Sequence, residues 1–172
     1  MKRKSLTIIA ILGLLVSTSC GEAKKEPVKK ETKKVEVQEK EAEPEVKQIV
    51  EITVEAVGES MAEIAFEPKS LSIPKNSRVK LTLKNVSSAA GMLHNFVLVE
   101  LGTGQEIATA GIKAGNENNF IPKDKRVIAG SAVADLGESV TIEFDAPKAG
   151  SYHYICTYPG HYPMMIGRMN VE

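Results

Sequence analysis

The sequence predicts an all-β sandwich in the part of the chain that follows residue 47. Three observations support this fold class: several short segments alternate apolar and polar residues, Gly and Pro punctuate the stretches between them, and helical periodicity is weak. Short strands with little helix bury their apolar faces by packing as two sheets. About 125 residues are available, which is the size of one domain with a single core.

The strands are expected at regular intervals along this region. They are residues 50–57, an edge segment within 66–74, and residues 78–84, 95–100, 127–134, 139–144, 152–156 and 166–171. The segment 95–100 is nearly all apolar, as in a strand that is covered on both faces. Residues 101–125 interrupt the pattern with weak helical spacing over 105–114 and a turn cluster at 116–119, so we expect one short helix there.

The first 47 residues have the pattern of an export signal followed by a tether. Residues 1–19 combine a basic start with a short apolar stretch, which is typical of a secretory signal peptide. Cys20 follows directly, in the position of the cysteine that is lipidated in bacterial lipoproteins; an ordinary signal peptide that ends near a cysteine is the alternative. Residues 20–47 alternate Lys, Glu, Val and Pro, so we expect a disordered tether or, alternatively, a transient exposed helix.

Composition excludes some classes of partner. The formal net charge is zero and there is no basic patch with interleaved aromatic residues, so nucleic acid is not an expected partner. The two cysteines, Cys20 and Cys156, would normally suggest one disulfide in an exported protein. Because we expect Cys20 to be acylated and Cys156 lies in a metal-binding motif, we expect no disulfide.

One short run near the C-terminus contains three potential metal ligands. Cys156, His161 and Met165 lie within Cys-Thr-Tyr-Pro-Gly-His-Tyr-Pro-Met-Met, and His94 lies far upstream. A thiolate, two imidazoles and a thioether are the ligands of blue-copper electron-transfer sites, because this set suits both Cu(I) and Cu(II). The sequence therefore predicts one copper ion per chain.

Each of these residues also has a purely structural interpretation. A buried cysteine, a loop histidine and a core methionine are common in proteins that bind no metal. Met164 competes with Met165 as the thioether, because spacing in a loop does not rank two neighbours. Of the three histidines in the chain, His153 is turned away from Cys156 by strand alternation, which leaves His94 as the second imidazole.

Asn95, the residue after His94, is a candidate for supporting the site from outside the ligand set. Its side chain can hold the ligand loop by hydrogen bonds to the loop backbone or to Thr157, and contacts of this kind tune metal sites. The alternative is a turn asparagine that precedes a strand.

The stretch Tyr-Ile-Cys-Thr-Tyr-Pro-Gly-His, followed by Met165, resembles the ligand loop of azurins and auracyanins, which are members of the cupredoxin family. The upstream pair His94-Asn95, before an apolar strand, resembles the family's upstream ligand. Residues 126–129 and 139–145 resemble azurin's middle section in order and spacing. The lipoprotein-like start is similar to that of membrane-tethered relatives.

The resemblance covers residues 48–172 and implies a cupredoxin domain, which is a Greek-key β-sandwich with a short helical flap over residues 101–125. It also implies a type 1 copper with Met165 in the axial position and three strong ligands, His94, Cys156 and His161. Two features depart from azurins: Leu93 replaces a glycine before the upstream histidine, and the domain lacks a disulfide near its first strand.

These observations predict a blue-copper one-electron carrier that is tethered to the membrane by a lipid anchor on the periplasmic side of the cell envelope. Its expected partners are redox proteins such as cytochromes or oxidases, without a small-molecule substrate. It is not expected to be an enzyme, because a catalytic copper needs several further histidines and only His153 is left over. The alternative is a copper-binding or copper-delivery protein of the envelope; a cysteine inside a tight loop favours electron transfer over delivery.

Overall fold

The structure is a computed structural model that describes residues 47–172. In this part of the chain we number nine strands and one α-helix: β1 Ile49–Val57, β2 Ala65–Glu67, β3 Ser70–Ile73, β4 Arg78–Asn85, β5 Val97–Glu100, α1 Gly104–Ala114, β6 Val127–Gly130, β7 Ser139–Asp145, β8 Gly150–Ile155 and β9 Ile166–Val171. A short 3-10 helix, Asn116–Asn118, follows α1. The predicted signal segment 1–19, Cys20 and nearly all of the predicted tether lie outside the described residues.

The strands form two sheets that pack face to face. One sheet has the order β2-β1-β4-β7 and the other has the order β3-β9-β8-β5-β6. The pairs β1–β4 and β3–β9 are parallel and join strands that are not consecutive in the chain, whereas the remaining pairs are antiparallel. These crossovers produce the Greek-key arrangement, so the predicted all-β sandwich is confirmed.

The core lies between the two sheets and follows from strand alternation. Val79, Leu81 and Leu83 of β4 are fully buried, and the polar residues between them point outward. Within the core, Phe96 stacks on Tyr154 with ring centroids 5.2 Å apart. Burial of each of these large apolar side chains stabilises the fold by about 1.5–3 kcal/mol.

Several strand boundaries differ from the sequence-based expectation. The segment 66–74 contributes two edge strands, β2 and β3, one to each sheet. The strand expected over 127–134 ends at Gly130, because Ser131 turns inward and its Oγ accepts a hydrogen bond from the N–H of Phe96 at 2.9 Å. Because the N–H of Phe96 donates to this side chain, the strand expected from residue 95 begins at Val97.

Four connecting segments meet at one end of the sandwich, which we call the loop end. They are residues 58–64, 86–96, 131–138 and 156–165. Asn85, at the end of β4, links two of them, since its Nδ2 donates to the carbonyl oxygens of Met92 at 2.7 Å and of Ala134 at 3.2 Å. Ser87 adds a third link by donating to the carbonyl of Gly58 at 2.6 Å.

Helix α1 packs against the outer face of the five-stranded sheet. Its Ile107 and Ala108 form a second apolar cluster with Val97, Val99 and Ile155 of the sheet. The short helix expected over 105–114 is therefore confirmed. No helix within residues 47–172 is long and apolar enough to cross a lipid bilayer.

Gly111 allows α1 to approach the loop end closely. A Cβ at this position would lie 3.1 Å from the Cβ of Thr157 and would overlap the carbonyl oxygen of Phe120. We therefore predict that Gly111→Ala destabilises the protein by about 1–3 kcal/mol, although alanine is the better helix former. Thr109→Ala, on the exposed face of the same helix, is the control and should leave stability nearly unchanged. Urea unfolding measures both; equal stability of the two variants would contradict the close packing.

Candidate metal centre

The pairing of β5 with β8 brings two distant parts of the chain together. In this antiparallel pair Val97 lies opposite Ile155, so the residues just before β5 and just after β8 are neighbours. Two backbone hydrogen bonds join His94 to Ala134. The N–H of His94 donates to the carbonyl of Ala134 at 3.2 Å, and the carbonyl of His94 accepts the N–H of Ala134 at 2.7 Å. Cys156 follows β8 directly. Both side chains are fully buried.

The ligand loop, residues 156–165, closes on itself. The N–H of His161 donates to the carbonyl of Tyr158 at 3.1 Å, and the N–H of Met165 donates to the carbonyl of His161 at 3.0 Å. The N–H of Cys156 donates to the carbonyl of Met165 at 3.2 Å, which joins the two ends of the loop. Gly160 adopts a φ of +86°, a left-handed conformation that favours glycine. The loop therefore returns His161 and Met165 to the position of Cys156.

Three donor atoms converge in this buried space. The Nδ1 atoms of His94 and His161 are 3.1 Å apart, and the Sγ of Cys156 lies 4.0 Å from the first and 3.5 Å from the second. A point equidistant from the three atoms lies about 2.1 Å from each, and metal bonds to nitrogen and sulfur ligands are about 2.0–2.3 Å long. These residues would therefore be able to hold one metal ion, with all three donor atoms within bonding distance of it.

The two candidate thioethers differ in burial. Met165 is fully buried and belongs to the same core cluster as Cys156, whereas Met164 is 49% exposed. Because a metal ligand in this site must reach the buried cluster, the structure favours Met165. His153, by contrast, lies opposite Val99 within the sheet and is not part of the cluster formed by His94, Cys156 and His161.

Burial sets the protonation states of the three donors. Burial, with a smaller contribution from His161, lowers the pKa of His94 to about 4, and burial lowers the pKa of His161 to about 4. Both imidazoles are therefore neutral at pH 7. Burial raises the pKa of the Cys156 thiol to about 12, although hydrogen bonds from the backbone of Asn95 and Tyr158 favour the thiolate. The thiol must therefore lose its proton when it becomes a metal ligand.

Asn95 connects the segment that carries His94 to the ligand loop. Its Nδ2 donates to the Oγ1 of Thr157 at 2.8 Å and to the carbonyl of Asn119 at 2.7 Å. Its Oδ1 accepts the N–H of Thr157 at 2.8 Å. Asn95 and Thr157 are both buried, so this reciprocal contact is shielded from water.

Two further polar residues support the site, and the sequence alone did not indicate this role. Asn85 holds both the segment before His94 and the carbonyl of Ala134, which accepts the N–H of His94. Asn119 accepts from Asn95 through its carbonyl and from the N–H of Val133 through its side chain at 3.2 Å. Asn85 stands at a strand end and Asn119 in a turn cluster, positions where asparagine is common, so neither carried a specific signal.

Comparison with known proteins identifies the family. The family described as copper binding proteins, plastocyanin/azurin family, matches residues 50–172, which is most of the chain. This protein belongs to that family. It is 41% identical over 124 residues to Auracyanin-A of Chloroflexus aurantiacus, covering 70% of this chain and 75% of that protein. It is 35% identical over 116 residues to Azurin iso-2 of Methylomonas sp. strain J, and the match covers 63% of this chain and 90% of that protein.

A solved structure supports the same assignment. The structure titled as Auracyanin A, a "blue" copper protein from Chloroflexus aurantiacus, superposes with a TM-score of 0.65 and 38% identity, covering 72% of this chain and 99% of that one. Family membership confirms the resemblance found in the sequence and makes type 1 copper the cofactor of this blue-copper electron-transfer protein.

Proposed function

We propose that this protein carries single electrons at the cell envelope, with His94, Cys156 and His161 as copper ligands and Met165 as a weak axial thioether. The observation that carries this proposal is the buried triangle of two Nδ1 atoms and one Sγ, whose centre is at bonding distance from all three. Two imidazoles and one thiolate with a distant thioether are the donor set of trigonal blue-copper sites.

The residues around the donors support rapid electron exchange. Copper, when bound, supplies the one-electron couple. The neutral imidazoles of His94 and His161 offer lone pairs at pH 7, and the Cys156 thiol gives up its proton on binding. Asn95 holds Thr157 by two hydrogen bonds and so fixes the loop that carries the other donors. A loop that is fixed in this way need not rearrange when the charge of the site changes.

The burial of the donors supports a carrier rather than a copper-delivery protein or an enzyme. His94, Cys156 and Met165 are fully buried, and His161 is 1% exposed. Delivery of copper requires ligands that a recipient can reach, and catalysis requires a position that a substrate can reach. Electrons, in contrast, pass through the side chain of a buried ligand to the surface. The expected partners are therefore redox proteins, such as cytochromes or oxidases.

Redox titration of the copper-loaded protein tests this function and the axial ligand together. We predict a reversible one-electron couple in wild type. Met165→Gln should lower the reduction potential, because an amide oxygen favours Cu(II) over Cu(I). Met164→Gln is the matched control and should have a much smaller effect, since Met164 is half exposed. A larger shift for Met164→Gln than for Met165→Gln would show that Met164 is the thioether ligand. An irreversible couple in wild type would exclude an electron carrier.

We further propose that Cys20 is the lipidated first residue of the mature protein and that residues 20–47 tether the cupredoxin domain, residues 48–172, on the periplasmic side. β1 begins at Ile49 and runs toward the loop end, so the chain enters the domain at the opposite end. This direction supports the proposal, because a tether attached there leaves the loop end accessible to partners.

Cell fractionation tests the anchor. We predict that wild type is recovered with membranes and that Cys20→Ala is recovered in the soluble fraction. An acyl chain contributes about 0.8 kcal/mol per buried CH₂ to the free energy of membrane binding, and the variant lacks the acylated cysteine. Because the change lies outside residues 47–172, Cys20→Ala should leave the copper spectrum unchanged. Mass spectrometry of the wild type should show an acylated N-terminal cysteine; an unacylated, soluble wild type would refute the proposal.

A further inference from the structure

The end of the sandwich opposite the loop end is the place where the chain enters the domain. We call it the basal end; it consists of residues 47–48, 74–77, 101–103, 124–126, 146–149 and 172, with the strand residues that border them. Backbone hydrogen bonds join these segments, for example from the N–H of Ala146 to the carbonyl of Ser77 at 2.9 Å. An anchor attached through residues 20–47 therefore reaches the domain at its basal end.

The basal end carries six cationic side chains, and half of them have no carboxylate partner. Three exposed lysines stand in separate turns and belong to none of the seven ion pairs found within residues 47–172; they are Lys75, Lys125 and Lys148. The other three cations are in ion pairs, for example Lys47 with Asp145 at 2.9 Å. The three lysines are therefore free to bind an external anion.

Four acidic side chains accompany these cations. Asp124 and Asp145 are in ion pairs with basal cations, whereas Glu100 and Glu172 are exposed and belong to none of the ion pairs within residues 47–172. With six cationic and four acidic side chains, the basal end has a positive net charge.

The loop end has the opposite charge. Its four segments contain no Lys or Arg and four carboxylates, which are Glu59, Glu63, Asp135 and Glu138. The charge is therefore distributed unequally along the long direction of the strands. Such a distribution orients a domain in front of a charged surface, because one end is attracted and the other is repelled.

Hydrogen bonds hold the turns that carry the basal lysines. The hydroxyl of Tyr152 donates to the carbonyl of Lys148 at 2.7 Å. On either side of Lys125, the N–H of Arg126 donates to the Oδ1 of Asp124 at 2.9 Å, and the Arg126 guanidinium donates to both oxygens of the same carboxylate. Lysines in turns of this kind keep fixed relative positions when a surface approaches.

Two exposed apolar side chains lie beside these cations. Ile49, at the start of β1, is 66% exposed, and Leu101, which follows β5 directly, is 49% exposed. Ile49 pairs with Arg78 across the sheet. Cationic and apolar side chains on one surface are typical of proteins that bind anionic bilayers, because lysines attract lipid phosphates and apolar groups enter the boundary of the acyl chains.

We propose that the basal end docks on the surface of an anionic lipid bilayer and that the loop end points away from it; this rests on the proposed lipid anchor at Cys20. The 27 residues from Cys20 to Lys47 span up to about 90 Å, so an anchor alone does not orient the domain. Docking does so, and it keeps the ligand loop turned away from the lipid.

An acidic protein would match the same basal charges. The bilayer is the better occupant, because the chain enters the domain at the basal end and an anchor keeps lipid within reach at all times. The exposure of Ile49 and Leu101 also favours lipid, since an apolar side chain gains from entering the acyl boundary.

Tryptophan fluorescence on vesicles tests the orientation. The chain contains no tryptophan, so Leu101→Trp reports on the basal end alone and Leu136→Trp reports on the loop end alone. The copper-loaded chain of residues 20–172 is coupled through Cys20 to a maleimide lipid in vesicles of phosphatidylglycerol or of phosphatidylcholine. Cys156 is fully buried and does not compete for the maleimide. Quenching by acrylamide, which is uncharged, measures the exposure of each tryptophan to water.

We expect the quenching constant of Leu101→Trp to be at least about twofold lower on anionic than on neutral vesicles at low ionic strength. The constant of Leu136→Trp should be the same on both. Salt at 1 M should raise quenching of Leu101→Trp on anionic vesicles, because the Debye length falls to about 3 Å.

Matched charge variants in the Leu101→Trp background test the role of the lysines. Lys75→Gln/Lys125→Gln/Lys148→Gln should abolish the protection on anionic vesicles. The control, Lys69→Gln/Lys113→Gln/Arg168→Gln, removes three exposed cations that lie outside the basal end and should keep it; within residues 47–172 these cations also belong to no ion pair. The copper absorption band checks that each variant is folded.

Three results would overturn the proposal. They are equal quenching of Leu101→Trp on anionic and neutral vesicles, equal protection of Leu136→Trp and Leu101→Trp, and equal loss of protection in the two charge variants. Chemical coupling makes this test independent of acylation in the cell, so an unacylated Cys20 in the native protein would refute the proposed anchor without affecting the vesicle result.

Discussion

The site depends on the reciprocal hydrogen bonds between Asn95 and Thr157. Asn95 follows His94 and Thr157 follows Cys156, so these bonds hold together two proposed copper ligands that are 62 positions apart in the chain. Closing such a long loop costs conformational entropy, which the pairing of β5 with β8 helps to offset. The ligand loop begins at Cys156, next to this contact, and Asn85 fixes the segment before His94.

Burial has two opposing effects on this centre. It keeps both imidazoles neutral and ready to bind, but it also raises the pKa of the Cys156 thiol to about 12, so the thiolate is disfavoured until a metal replaces the proton. The metal-free protein can therefore fold around a neutral cluster without an unpaired buried charge. The same burial excludes water from the donors, which limits solvent reorganisation when the charge of the site changes.

The sequence predicted the parts of this structure that depend on periodicity and ligand chemistry. Alternation along β1, β4 and β7 predicted the sandwich, because each strand buries one face only. The difference in burial between Met164 and Met165 became visible only in the structure, since loop spacing does not determine which side chain turns inward. Ser131 and Asn85 were not anticipated either, because their partners are backbone groups that are distant in sequence. Contacts of this kind leave no periodic pattern in the chain.

The central claim is that the Cys156 thiolate binds copper together with His94 and His161 in a preformed site. The visible absorption spectrum of the Cu(II)-loaded protein, recorded for wild type and for Cys156→Ser, tests it most directly. We expect an intense blue or blue-green colour in wild type, because the bond between copper and thiolate produces it, and no such band in a folded Cys156→Ser variant. A strong visible band that survives in Cys156→Ser, or a colourless wild type that has bound one copper, would contradict the account.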